Sequence, residues 1–214
     1  MRYFVVLLGI SALAGCVATG DERWRTFNDD GVRLFAKAEY AQALDHFDLA
    51  LTLRPDDPVL IFNTAQCLDR LGDFKKAEQF YSYCLQRDPK HADARLALIS
   101  VAYRSGRTAE AKKNINDWFV QEPNSPEPYV ADAWRLRQEN ALEEAHARLH
   151  QALSFDPNHR RALTELAIIY EKIGLPERSL ALYEGILTRE PNQVEIAERL
   201  EQMKAKGVRR PLPN

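Results

Sequence analysis

Pro55, Pro89, Pro123, Pro157 and Pro191 recur at an unbroken interval of 34 residues, and no other feature restricts the fold of this chain as tightly. A fixed period of this size marks a repeat array, in which each unit buries its apolar face only against a neighbour. Proline lacks an amide hydrogen and steers the residue before it away from helix, so each of the five closes one helical unit before the next opens. The 214 residues are 45% hydrophobic and 28% charged, the composition of a folded globular protein. A formal net charge of −2 offers no basic surface for nucleic acid.

Counted from Trp24, the chain divides into five units of equal length: 24–57, 58–91, 92–125, 126–159 and 160–193. Similar residues return at similar places. The first unit has Gly31, Ala43, Phe47 and Ala50; the second has Leu68, Gly72, Phe74, Ala77 and Tyr81; the third has Leu98, Gly106 and Ala111. The fourth has Tyr129, Leu136, Ala145 and Ala152, and the fifth has Leu166, Ala167, Tyr170, Gly174 and Tyr183. Small residues let two antiparallel helices approach closely, and large ones at helical spacing fill the space between hairpins. Gly72, Gly106 and Gly174 fall where a left-handed residue ends the first helix of a hairpin.

This pattern resembles the tetratricopeptide repeat. The resemblance implies an all-α fold: a right-handed α-solenoid of five helix-turn-helix repeats over 24–193, closed by a capping helix over 194–206 and followed by a tail at 207–214. Departures fall at Arg95, where a large apolar residue is usual, and at Ile99, a small position. The fifth unit has Pro176 near the start of its second helix, where a first turn tolerates it, and Ser179 in place of alanine.

The first 23 residues carry a different signal. Met1 and Arg2 precede an apolar run from Tyr3 to Leu13, then Leu13-Ala14-Gly15-Cys16. The run is too short to span a bilayer and ends in small residues, as a secretory signal does. The four residues resemble the bacterial lipobox, which implies removal of 1–15, acylation of Cys16 and a lipidated tether over 16–23. Several acyl chains together anchor a protein firmly, because each buried CH₂ contributes about 0.8 kcal/mol. Val17 follows Cys16, and by the sorting rule of such lipoproteins the absence of aspartate there implies the outer membrane, facing the periplasm. In that oxidising compartment Cys67 and Cys84 invite a disulfide. The repeat register offsets them along two antiparallel helices by roughly 12 Å at 1.5 Å per residue, beyond the reach of about 7 Å that a bridge needs. Two small buried thiols are expected.

In tetratricopeptide arrays the first helices of successive hairpins line a groove. Carried onto this chain, the groove positions give Phe62, Gln66 and Arg70 from the second unit, Tyr103 and Arg104 from the third, and Trp134 and Arg137 from the fourth; Asn28, Phe35, Asp69, Gln138, Arg161, Glu171 and Lys172 share those positions. Aromatics provide rigid apolar area and arginines provide forked donors, which suits an extended peptide. The other use of Phe62, Tyr103 and Trp134 is to fill gaps between repeats. A clamp for a C-terminal carboxylate needs asparagine at the ninth position, which here holds Val32, Gln66, Ser100, Trp134 and Ile168.

Little points to catalysis. His146 and His150, spaced i, i+4, present two imidazoles on one helix, with Glu143 and Glu144 the nearest further ligands. An outward, charged helix face accounts for them without a metal. Nucleophile-elbow, phosphate-loop and zinc-protease motifs are missing. Neither a cofactor nor a metal is expected, and the chain is read as a scaffold, not an enzyme. Its expected partner is an envelope protein or peptide segment. Small lipoproteins of this architecture resemble pilotins and assembly proteins of type IV and Tad pili, which act on the outer-membrane secretin. The alternative is an adaptor for peptidoglycan enzymes or envelope proteases, and more remotely a metal-dependent enzyme using His146 and His150.

Overall fold

A computed structural model describes residues 22–209. The expected signal peptide, Cys16 and the tether up to residue 21 lie outside them, as does the tail from residue 210. The described residues form eleven helices and no strand: α1 Arg23–Ala36, α2 Tyr40–Leu53, α3 Pro58–Arg70, α4 Phe74–Arg87, α5 Ala92–Arg104, α6 Thr108–Gln121, α7 Glu127–Gln138, α8 Leu142–Phe155, α9 Arg160–Lys172, α10 Pro176–Arg189 and α11 Val194–Ala205. The second helix of every hairpin opens and closes on the 34-residue period of the prolines. None of these helices is long and apolar enough to cross a membrane. The chain divides within α4 into two compact units, 1–80 and 81–214.

The turns inside the hairpins share one backbone solution. Gly72, Gly106 and Gly174 have φ of 84°, 78° and 78°, as their positions in the sequence predict. Ala38 and Asn140 stand at the same place in the first and fourth repeats and take φ of 60° without being glycine. In each turn the amide three residues past the helix donates to the carbonyl five residues back, as Asp73 does to Leu68 at 2.9 Å and Ala141 to Leu136 at 2.9 Å. The orphan carbonyls of the first helix are thereby satisfied. Before α3, α5 and α9 the side chain of the preceding residue accepts from the first free amides of the helix. Asp57 Oδ1 accepts from Val59 and Leu60. His91 and His159 do the same work through Nδ1, each accepting from the amide three residues on at 3.2 Å.

In the unit 1–80, Ala43, Phe47 and Cys67 form a buried core with Leu34, Phe35 and Leu44 packed on it. Gly31 is required there: a Cβ would lie 2.7 Å from Phe47 Cε1. In the unit 81–214 the core runs through three clusters. The third repeat builds its cluster from Ile99, Ala102, Ala111, Ile115 and Trp118. Its departures compensate one another. Trp118 occupies a place that is Ala50, Cys84, Ala152 or Ile186 in the other repeats, and it is 2% exposed. The bulk that Arg95 fails to supply arrives from the opposite helix. Arg95 lays its guanidinium over the Trp118 ring at 4.9 Å and pairs with Glu122.

Helix α11 buries Ile196, Leu200 and Met203 against Leu163, Ala167, Leu180, Tyr183 and Ile186, covering the apolar face of the fifth repeat as expected of a cap. Cys67 and Cys84 are free and buried. Burial, with Asp48 adding to it, pushes the Cys67 thiol up to about 12; burial and then Asp88 push Cys84 to about 11. Both are therefore protonated, unreactive packing residues.

Candidate partner-binding face

The residues expected to meet a partner fall in both units. In 1–80, Phe62 and Gln66 are half-buried on α3 and Arg70 is exposed at its end. The Arg70 guanidinium stands 5.7 Å from the Phe35 ring and 5.8 Å from the Tyr40 ring, and the two rings meet edge-on at 5.1 Å. Asn63 donates to Asn28 at 3.1 Å, tying α3 to α1. This face is aromatic with one cation resting on it.

In 81–214 the first helices α5, α7 and α9 lie side by side. Tyr103 on α5 and Trp134 on α7 meet edge to face, with ring centroids 5.6 Å apart and planes at 81°. Both remain half-buried, so each ring packs on the other and still offers surface. Arg104 is exposed beside Tyr103.

The arginines here are not the open donors that the sequence suggests. Arg137 Nε and Nη2 grip Glu165 at 2.7 and 3.2 Å in a bidentate pair. Arg161 on α9 reaches Glu127 on α7 at 2.7 Å and, two repeats back, Asp93 on α5. His159 Nε2 adds a contact to Glu127 at 3.1 Å. Burial works to raise the Glu127 carboxyl, but His159 and Arg161 outweigh it and hold it below the ordinary glutamate value. A carboxyl depressed in the folded state contributes stability above its unfolded pKa, and that stability is lost as pH falls through the folded value. Glu171, another groove candidate, belongs to the cap. It accepts from Ser179, Tyr183 and Arg199, which also explains why serine replaces alanine at 179.

Two of these pairs obey one rule that sequence reading missed. Arg137 meets Glu165, and Glu171 meets Arg199, each across 28 residues. In both, the twelfth residue of one repeat meets the sixth of the next. Opposite charges at that spacing were the available signal.

The fourth repeat holds a further network with no counterpart among the expected residues. Asp132 accepts from Arg135 Nε and Nη2 and pairs with Arg148 at 2.8 Å, while Arg135 also meets Glu139. Asp132 and Arg135 are buried. The third repeat has an open cavity of about 270 Å³ lined by Leu98, Ile99, Trp118, Arg95 and Asp117 among others. His146 and His150 approach one another on α8, and His146 also touches Tyr170 of α9; the expected charged outer face is in part an inter-helix contact. Among the described residues no group of three histidine, cysteine or acidic side chains converges on a metal position.

Comparison with known proteins agrees with this geometry. A family profile described as the tetratricopeptide repeat matches residues 34–82, 70–132 and 136–203. Cellulose synthase operon protein C of Pseudomonas fluorescens (strain SBW25) is 32% identical over 161 residues, 72% of this chain. The chain spans only 13% of that relative's length. Among solved structures, TTC0263, a thermophilic TPR protein of Thermus thermophilus, superposes with a TM-score of 0.61 at 22% identity, covering 85% of this chain and 99% of that one. The Cut9–Hcn1 hetero-tetramer of the APC/C gives 0.54 at 13% identity, over 87% of this chain and 37% of that one. The structural likenesses speak to the fold alone.

Proposed function

The chain belongs to the tetratricopeptide-repeat family, and from that premise we propose that it is a lipid-anchored scaffold of the bacterial outer membrane. It faces the periplasm, attached through acyl chains on Cys16, and holds another envelope protein while an envelope machine such as a type IV or Tad pilus secretin is assembled. Scaffolding by protein–protein contact is the coarse property that the family gives. The anchor rests on the lipobox-like Leu13-Ala14-Gly15-Cys16, and the observation that supports a partner-binding face is the half-buried Tyr103–Trp134 pair, contributed by first helices of successive repeats. Aromatic anchors held in place before binding lose little conformational freedom when a partner arrives. Because Arg137 and Arg161 are already answered by carboxylates, the partner segment is recognised by its apolar side chains and backbone more than by acidic charge.

The relative named for a cellulose synthase operon favours a second reading, in which the machine served exports polysaccharide instead of assembling a pilus. Pull-down from detergent-solubilised envelope separates the readings by what is recovered: a secretin or pilus component, or a polysaccharide-export component. Replacement of Phe62, Tyr103 and Trp134 together by alanine is expected to abolish recovery while the helical circular dichroism signal persists. Undiminished recovery by that folded variant rejects these three rings as partner contacts. Cys16→Ser is expected to leave the protein unprocessed or free of the membrane fraction, and a mature, membrane-bound product rejects the anchor.

A further inference from the structure

The two histidines of α8 are arranged more specifically than surface residues need to be. His146 and His150 stand one turn apart, and their Nε2 atoms converge to 3.2 Å with ring centroids 4.4 Å apart. Two imidazole nitrogens bound to one tetrahedral ion at about 2.0–2.1 Å each lie about 3.3–3.4 Å from one another. The observed separation is thus within a few tenths of an ångström of a chelate's bite. From this we infer that His146 and His150 form a two-imidazole binding site for a borderline divalent cation such as Zn²⁺ or Cu²⁺.

Several features prepare the site. His146 is half-buried and its ring packs edge-on against the ring of Tyr170 of α9, with centroids 5.7 Å apart; the Tyr170 hydroxyl, 3.5 Å from the same Nε2, has to turn aside when that nitrogen takes an ion. One imidazole is thereby fixed by the neighbouring helix, while His150 remains exposed and is free to complete the pair. Hard cations prefer oxygen donors, so Ca²⁺ and Mg²⁺ do not fit this donor set. Two protein ligands leave the rest of the coordination sphere to water. Such a site binds an ion reversibly and differs from the closed four-ligand sites that hold a fold together.

The test is calorimetric titration of the purified full-length protein with Zn²⁺ and, separately, Cu²⁺ at neutral pH. One equivalent is expected to bind. His146→Ala and His150→Ala are each expected to weaken it at least tenfold, because either change destroys the chelate, whereas His46→Ala leaves it unchanged. Absence of binding, or binding unaltered in the double variant, overturns the inference. So does a loss confined to one of the two single variants. His150 is exposed and His146 borders the core through Tyr170, so circular dichroism confirms that each variant is folded before it is titrated.

Discussion

The first and fourth repeats place the same chemistry at the same three positions and obtain opposite results. In the first, Asp30 pairs with Arg33 and stands 3.9 Å from His46; in the fourth, Asp132 pairs with Arg135 and Arg148. The Arg33 side chain is 66% exposed, that of Arg135 only 10%. The cause is position in the array. Helix α1 has no hairpin before it among the described residues, while α7 packs against α6 of the preceding repeat, and Arg148 lies over Phe119 of that helix. An acid–base group that serves as a solvated outer face in one repeat becomes a buried joint in the other. The residues do not decide whether an ion pair is structural; what covers them does.

The largest test of this contrast is removal of the central carboxylate. Asp132→Ala takes the buried carboxylate from Arg135, which keeps only the half-exposed Glu139, and from the partly exposed Arg148, and is expected to cost up to about 3–5 kcal/mol, read as a fall in urea midpoint. Asp30→Ala, at the half-buried counterpart whose partner Arg33 is exposed, is expected to cost no more than about 1 kcal/mol. Equal losses would end the comparison. A sharper form is to replace Asp132 by leucine and Arg135 by isoleucine, the residues that Leu166 and Ile169 supply in the fifth repeat. That pair is expected to match or exceed the wild type, since apolar packing often equals a buried ion pair once desolvation is counted.

A smaller effect is expected where α1 crosses α2. Gly31→Ala drives a Cβ into the Phe47 ring and should cost about 1–3 kcal/mol by overpacking. Ala133, at the same place in the fourth repeat, accommodates a Cβ and buries it, so Ala133→Gly should cost about 1 kcal/mol through helix propensity and about 0.8 kcal/mol more for the lost buried methyl. Thermal unfolding distinguishes them, and a neutral Gly31→Ala would show that Phe47 can retreat. The smallest effect is at the hairpin turns. Ala38→Gly relieves a left-handed alanine and should stabilise by about 0.5–1 kcal/mol. Asn140→Gly should change stability by only a few tenths of a kcal/mol, because asparagine tolerates that conformation. A gain from Asn140→Gly as large as from Ala38→Gly would contradict the account.

How much of this was legible in the sequence depends on whether a single position carries the information. The proline interval and the three turn glycines name their own conformations, so helix order and turn geometry follow from them. Ala38 carries no mark of a left-handed residue; only its register, 34 residues before Gly72, betrays it. Arg95 was visible as a departure, but Trp118 compensates from the facing helix, and size exchange between helices is a property of pairs. The repeat register nominates Arg137 and Arg161 as groove positions, but their occupation by Glu165 and Glu127 could not be read from it. Those contacts join neighbouring repeats, at spacings that acquire meaning only after the repeats are aligned.

The cap α11 is held by the same coupling that joins true repeats. Arg199 meets Glu171 across the interval that separates Glu165 from Arg137, with the charges exchanged. To the fifth hairpin, α11 is received as the opening helix of another module, and the mating surface behind it is a standard fitting. Building an array with an added 34-residue cassette spliced at that joint would need no new interface, only an inserted hairpin that offers arginine at its sixth position and an acid at its twelfth.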